Sequence, residues 1–179
     1  MKTYNSFFYG TLMHPKILKA VIKNDGSHLQ LSPAVILDYT RHKVKGADYP
    51  GVLPFKRGEK LFTHTLSREE RSVRGTLVKG LTEQDIKYLD EFEGTEYTRE
   101  PVEAHPLEPF VDLSSHPDDD QDLIPSHPPP LPETFESSAS IHAETYIYLD
   151  EKALEAELWS FEDFVKSDRA RKWYDGTRW

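Results

Sequence analysis

Two stretches of this sequence carry residues that could do chemistry. The first is Leu89-Asp90-Glu91-Phe92-Glu93-Gly94. Glu93 stands seven positions after Ile86, so on a helix it returns to nearly the same face, the one expected to be buried. It also falls in the last helical turn, where the dipole opposes negative charge. Burial and that dipole both raise a carboxyl pKa. A carboxyl so tuned, beside a pocket, suits general-base and then general-acid work. The alternative is a partly exposed helix-end glutamate, or one paired with Arg99. Asp90 competes for the same role but is expected on the helix flank, in a local cap or salt bridge. Glu91 should point to solvent.

The second stretch is Phe7-Phe8-Tyr9-Gly10-Thr11-Leu12-Met13-His14-Pro15. An apolar, aromatic strand runs into a glycine and a small hydroxyl residue, and a helix then opens with Pro15 in its first turn, where a missing N–H costs little. Gly10 lets the backbone turn sharply and leaves the next amides uncovered. Consecutive N–H groups at such a turn form a cradle for an anionic or carbonyl oxygen. An ordinary strand-to-helix turn is the alternative here.

Other chemistries find little support. No nucleophile elbow, P-loop, Gly-rich dinucleotide motif or H-E-x-x-H occurs. His14, His42 and His64 are scattered, so no metal site is expected. The chain has no cysteine, which excludes disulfides and thiolate chemistry. No Lys/Arg run suggests nucleic acid, and no apolar run approaches a membrane span or a signal sequence. A soluble, cytoplasmic protein is the expectation.

The elements that must position these residues follow from pattern. The 179 residues fit one domain. Residues 5–9 read as a buried strand. Leu12, Ile17, Leu18, Val21 and Ile22 give a helical stripe, closed by Asn24-Asp25-Gly26. Strands are expected at 34–37, 39–44 and 72–78, with Ala47 to Gly51 as a turn and 56–72 as a charged excursion. Thr82 is the expected N-cap of the helix that ends at Glu93, with Gly94 closing it in the left-handed conformation. Tyr97 to Ala104 is a strand interrupted by Pro101, which suggests an edge or a bulge. His142 to Leu149 is a strand. Glu151 to Leu158 reads as a short helix capped by Asp150, and a last helix carries Phe161, Phe164 and Val165. That makes about six strands, several not separated by helices, and an α+β fold.

Residues 105–140 change character. They hold 8 of the 13 prolines and 8 acidic residues with no Lys or Arg, and so carry -8 of the net charge of -9. Such a segment buries too little apolar surface to offset its ordering entropy, so it reads as a disordered surface insertion. Its three histidines read as part of a solvated loop, not as a metal tract.

Taken in order, Tyr9-Gly10-Thr11-Leu12, Tyr49-Pro50-Gly51, Val73-Arg74-Gly75-Thr76-Leu77 and Leu89-Asp90-Glu91-Phe92-Glu93-Gly94 with Tyr97 and Arg99 resemble the γ-glutamyl cyclotransferase-like superfamily, closest to its avirulence-induced-gene-like branch. The resemblance covers about 5–104 and 142–174. It implies a small mixed β-barrel flanked by helices. It implies a small-molecule γ-glutamyl substrate held by the backbone around Gly10, Thr11 and Leu12, with Glu93 as acid/base. Tyr97 would sit near the pocket, and Tyr9 and Pro50 would shape it. The implied reaction closes a γ-glutamyl amide into 5-oxoproline and releases an amine, with no metal or other cofactor. A non-catalytic protein that binds a partner through the same pocket or the acidic insertion is the competing reading.

Overall fold

The computed structural model describes residues 2–47, 49–115, 131–134 and 139–159. The expected disorder at 116–130 and 135–138 and the expected last helix from residue 160 onward lie outside the described residues. Five strands close into a barrel: β1 (Tyr4–Phe8), β2 (Gln30–Leu37), β5 (Ser72–Leu81), β6 (Tyr97–Pro106) and β8 (Ile141–Tyr148). Round the ring they run β5, β1, β8, β6, β2 and back to β5. The β1–β8 pair is parallel and the others are antiparallel, so the barrel is mixed. All five strands send apolar residues to one cluster, among them Phe7, Ile36, Leu77, Ala104 and Ile147, which fills the barrel.

A second, three-stranded sheet combines β3 (Tyr39–Val44), β4 (Pro50–Pro54) and β9 (Leu154–Leu158) in the order β4, β3, β9. Strand β4 begins at Pro50, inside the expected turn. The 56–72 excursion opens with a single helical turn, α2 (Phe55–Gly58), and a 3-10 turn behind it.

Helices α1 (Pro15–Ile22) and α3 (Glu83–Glu93) pack on the barrel's outside. Phe8 faces them while Phe7 faces the interior, as strand alternation requires. Pro15 occupies the first helical position, and His14 caps it by accepting from the Lys16 amide at 3.2 Å. Thr82 and Asp85 form a reciprocal capping box at the start of α3. Asp85 is buried and also accepts from Asn24 at 2.9 Å and pairs with His28 at 2.7 Å. It therefore anchors α3 to the loop after α1, which fixes where the far end of α3 falls.

Several expectations need correction. Glu151 to Leu158 is not a helix. Asp150 does cap a turn, by accepting from the Lys152 amide, but that turn is a 3-10 helix of three residues (Glu151–Ala153), and β9 follows, pairing with β3. The acidic segment is not disordered from residue 105. Its first residues complete β6, β7 (Val111–Asp112) pairs with β2, and Leu113 is fully buried. Apolar side chains that reach the core offset the ordering entropy there, which composition averaged over the segment hides. Of the edge or bulge expected at Pro101, the edge is what forms: β6 pairs with β8 in unbroken register from Tyr97 to Ala104, and Pro101 lies where β6 has no second neighbour among the described residues. Gly94 ends α3 at φ 71° and ψ -154°, a glycine conformation other than the left-handed helical one expected.

Candidate active site

The site forms where β1 leaves the barrel. Past Phe8 the chain reaches Gly10 and enters a 3-10 turn, Thr11–Met13. Gly10 is required for space. Its φ is -133°, and a Cβ there would meet Cδ of Pro50 at 2.9 Å. The sharp, glycine-only turn expected from sequence is thus a close approach between two chain segments. The Met13 amide donates to the Gly10 carbonyl at 3.0 Å and the His14 amide to Thr11 at 3.1 Å. The Thr11 and Leu12 amides open the turn, so neither has an acceptor within it.

This turn, the end of α3, the start of β6 and the start of β4 enclose a cavity of about 410 Å³. All seven residues singled out from sequence line it: Tyr9, Gly10, Thr11, Leu12, Pro50, Glu93 and Tyr97. Tyr49, Tyr146 and Glu96 line it too and were not singled out. Tyr49 stood in the quoted Tyr49-Pro50-Gly51 motif. Tyr146 carried only a strand alternation, and Glu96 no signal beyond an acidic residue after a helix.

Glu93 is half-buried in the cavity wall. Burial, then the nearby charges of Glu96 and Asp90, push its carboxyl up to about 8. Among the described residues it forms no hydrogen bond or ion pair. Arg99 does not neutralise it. The Arg99 guanidinium binds both Asp90 oxygens, at 2.8 and 2.7 Å, and Glu144 at 3.2 Å. Asp90 is thus in the salt bridge expected of it, and also accepts from the Tyr146 hydroxyl at 2.8 Å. Glu91 is exposed, as expected, at the cavity rim.

The tyrosines are committed to structural bonds. Tyr9 donates to the Tyr146 carbonyl at 2.5 Å, and Tyr97 donates to the Pro50 carbonyl at 2.7 Å. Burial pushes both phenols up, with the Glu93 charge adding to it, so they stay protonated. Tyr49 donates to Glu96 at 3.0 Å. Among the described residues that line the cavity there are three glutamates and no lysine, arginine or histidine. No group of three possible metal ligands occurs among the described residues. No helix among them is long and apolar enough to cross a membrane.

Known proteins agree with this architecture. AIG2-like protein C of Arabidopsis thaliana is 33% identical over 101 residues, which are 56% of this chain and 49% of that protein. The match therefore spans about half the length of that curated relative. The solution structure of another Arabidopsis thaliana protein superimposes with a TM-score of 0.57 at 20% identity, covering 99% of this chain and 81% of that one. A yeast γ-glutamyl cyclotransferase specific to glutathione superimposes with a TM-score of 0.51 at 17% identity, covering 86% of this chain and 72% of that one. At such identities these two structures speak to the fold alone. The family model described as gamma-glutamyl cyclotransferase, AIG2-like matches residues 6–128, and the chain belongs to that family.

Proposed function

We propose that this protein cyclises a γ-glutamyl amide to 5-oxoproline and releases the free amine, with Glu93 as general base and then general acid. The observation that carries the reading is the Glu93 carboxyl, unpaired among the described residues in the wall of the cavity that the Gly10 turn also lines, with a proton affinity near neutrality. Such a group can both take and return a proton at working pH.

The Thr11 and Leu12 amides, which have no acceptor within their turn, offer donors to an oxygen of the γ-glutamyl part. The substrate's α-ammonium cannot attack, because its nitrogen has no lone pair. Glu93 takes one proton, and the nitrogen attacks the γ-carbonyl carbon of the same chain. The C–N bond to the leaving amine then breaks, and Glu93 returns its proton to the leaving nitrogen. The attacking nitrogen sheds two protons in all; the second also ends on the released amine, which departs as an ammonium. The reaction is intramolecular, so holding the glutamyl chain folded supplies much of the acceleration. The Tyr9 and Tyr97 oxygens keep lone pairs that can accept from the ammonium.

The acidic rim bears on the leaving group. Glu91 and Glu96 favour a leaving amine that is neutral or carries a further positive charge over one that carries a carboxylate. The test is 5-oxoproline release from a panel of γ-glutamyl amides: a diamine amide, a simple alkylamide and glutathione. Release that falls by about 10²-fold or more in Glu93→Gln supports the reading. Near-normal turnover in that variant refutes it. Preference for glutathione refutes the leaving-group assignment alone.

A further inference from the structure

Arg41 sits in the middle of β3 and belongs to no part of the mechanism above. Its Nη1 donates to the Tyr9 carbonyl at 2.8 Å and to the Arg74 carbonyl at 2.9 Å. Its guanidinium lies 5.4 Å from the ring of Trp159, whose amide donates to the Arg41 carbonyl at 3.2 Å. No carboxylate pairs with it among the described residues. Burial pushes it down to about 10, which leaves it charged at neutral pH. A half-buried cation held on peptide carbonyls, with no carboxylate beside it among the described residues, is a costly arrangement for stability alone.

Its place in the fold gives it a purpose. The β1–β5 ladder runs Ser6–Val78, Phe7–Leu77, Phe8–Thr76 and then stops. At Gly75 the Phe8 carbonyl passes so close that a Cβ would collide with its oxygen. Beyond this point the strands part, and the Tyr9 and Arg74 carbonyls both turn to one nitrogen of Arg41. A guanidinium nitrogen carries two hydrogens, so it serves both acceptors at once. The Tyr9 carbonyl belongs to the same peptide unit as the Gly10 N–H. A charged donor on the oxygen polarises that unit and strengthens the N–H on its other side.

We infer that Arg41 is the positioning residue of the Gly10 turn: by clamping the Tyr9 and Arg74 carbonyls it sets the angle at which the chain leaves β1 and so where the Thr11 and Leu12 amides stand in the cavity wall. The inference rests on the proposed function for its ligand, but its first readout does not. In the ligand-free protein, Arg41→Met is expected to move the Gly10 amide proton upfield in a ¹⁵N–¹H correlation spectrum. Arg41→Lys, which keeps a charged donor on a shorter, differently shaped side chain, is expected to move it less. With a γ-glutamyl amide, Arg41→Met raises KM roughly three- to tenfold, the weakening of one neutral hydrogen bond to a displaced amide, and changes kcat less. Arg41→Lys recovers part of that loss. If Arg41→Met fails to fold, Arg41→Lys carries both readouts with smaller changes. An unmoved Gly10 resonance overturns the inference, whatever the melting temperature does. So does a moved resonance with an unchanged KM. If wild type turns over no member of the panel, the proposed function falls by itself, and the Gly10 resonance alone decides the role of Arg41.

Discussion

Replacing Glu93 by glutamine should make the protein more stable while removing the proposed turnover. The folded-state carboxyl sits at about 8 against an ordinary value of 4.5, because burial first and the Glu96 and Asp90 charges second penalise its ionised form. The fold therefore binds the protonated form better than the unfolded chain does. That contribution is whole below pH 4.5 and is lost as pH rises through about 8. At pH 7 the unfolded chain has lost this proton and the folded protein mostly keeps it, at a cost of about 2.5 pH units, or ~3 kcal/mol. Solvent access to the cavity trims this to ~1–3 kcal/mol. Glutamine has nearly the same shape and carries no charge, so Glu93→Gln escapes the penalty. Urea unfolding of both proteins at pH 5, 7 and 8.5 measures it. The variant should gain little at pH 5, ~1–3 kcal/mol at pH 7 and somewhat more at pH 8.5, with an unchanged m value. A variant whose advantage does not grow with pH, or that is less stable than wild type at pH 8.5, refutes the electrostatic account of Glu93.

Two further outcomes follow from the same geometry. Because the base form of Glu93 is the carboxylate, kcat/KM should rise with pH and level off above about 8, whereas kcat should level off at lower pH because the bound ammonium favours the carboxylate; pH–rate profiles for one substrate check both. Gly10→Ala should lose ~1–3 kcal/mol in thermal or urea unfolding and raise KM, since its Cβ meets Cδ of Pro50 at 2.9 Å; a variant with wild-type stability and KM would show that the Pro50 ring gives way freely.

Much of the site is local in sequence and was legible there. The strand, Gly10 and Pro15 lie within a dozen residues. Thr82, Ile86, Leu89 and Gly94 mark a helix by start signal, period and stop, and so put Glu93 on a definite face of the last turn. The family motifs then brought the two stretches together with Pro50 and Tyr97.

Where elements meet was not legible. In Leu154-Glu155-Ala156-Glu157-Leu158 the two leucines are four apart, which fits a helical face and an alternating strand equally. The open edge of β3 settled it, and sequence spacing does not encode an edge. Likewise Arg99 had three carboxylates within reach along the chain or across the sheet. The register of β6 against β8 and the direction of α3 gave it to Asp90 and Glu144 and left Glu93 without a cation among the described residues. Arg41 lies 32 residues from Tyr9 and joins it only because the barrel closes and the second sheet folds against it. Local pattern thus determined which residues stand at the ends of the elements that line the cavity. Tertiary packing determined their burial and their partners, because such contacts arise between segments distant in the chain.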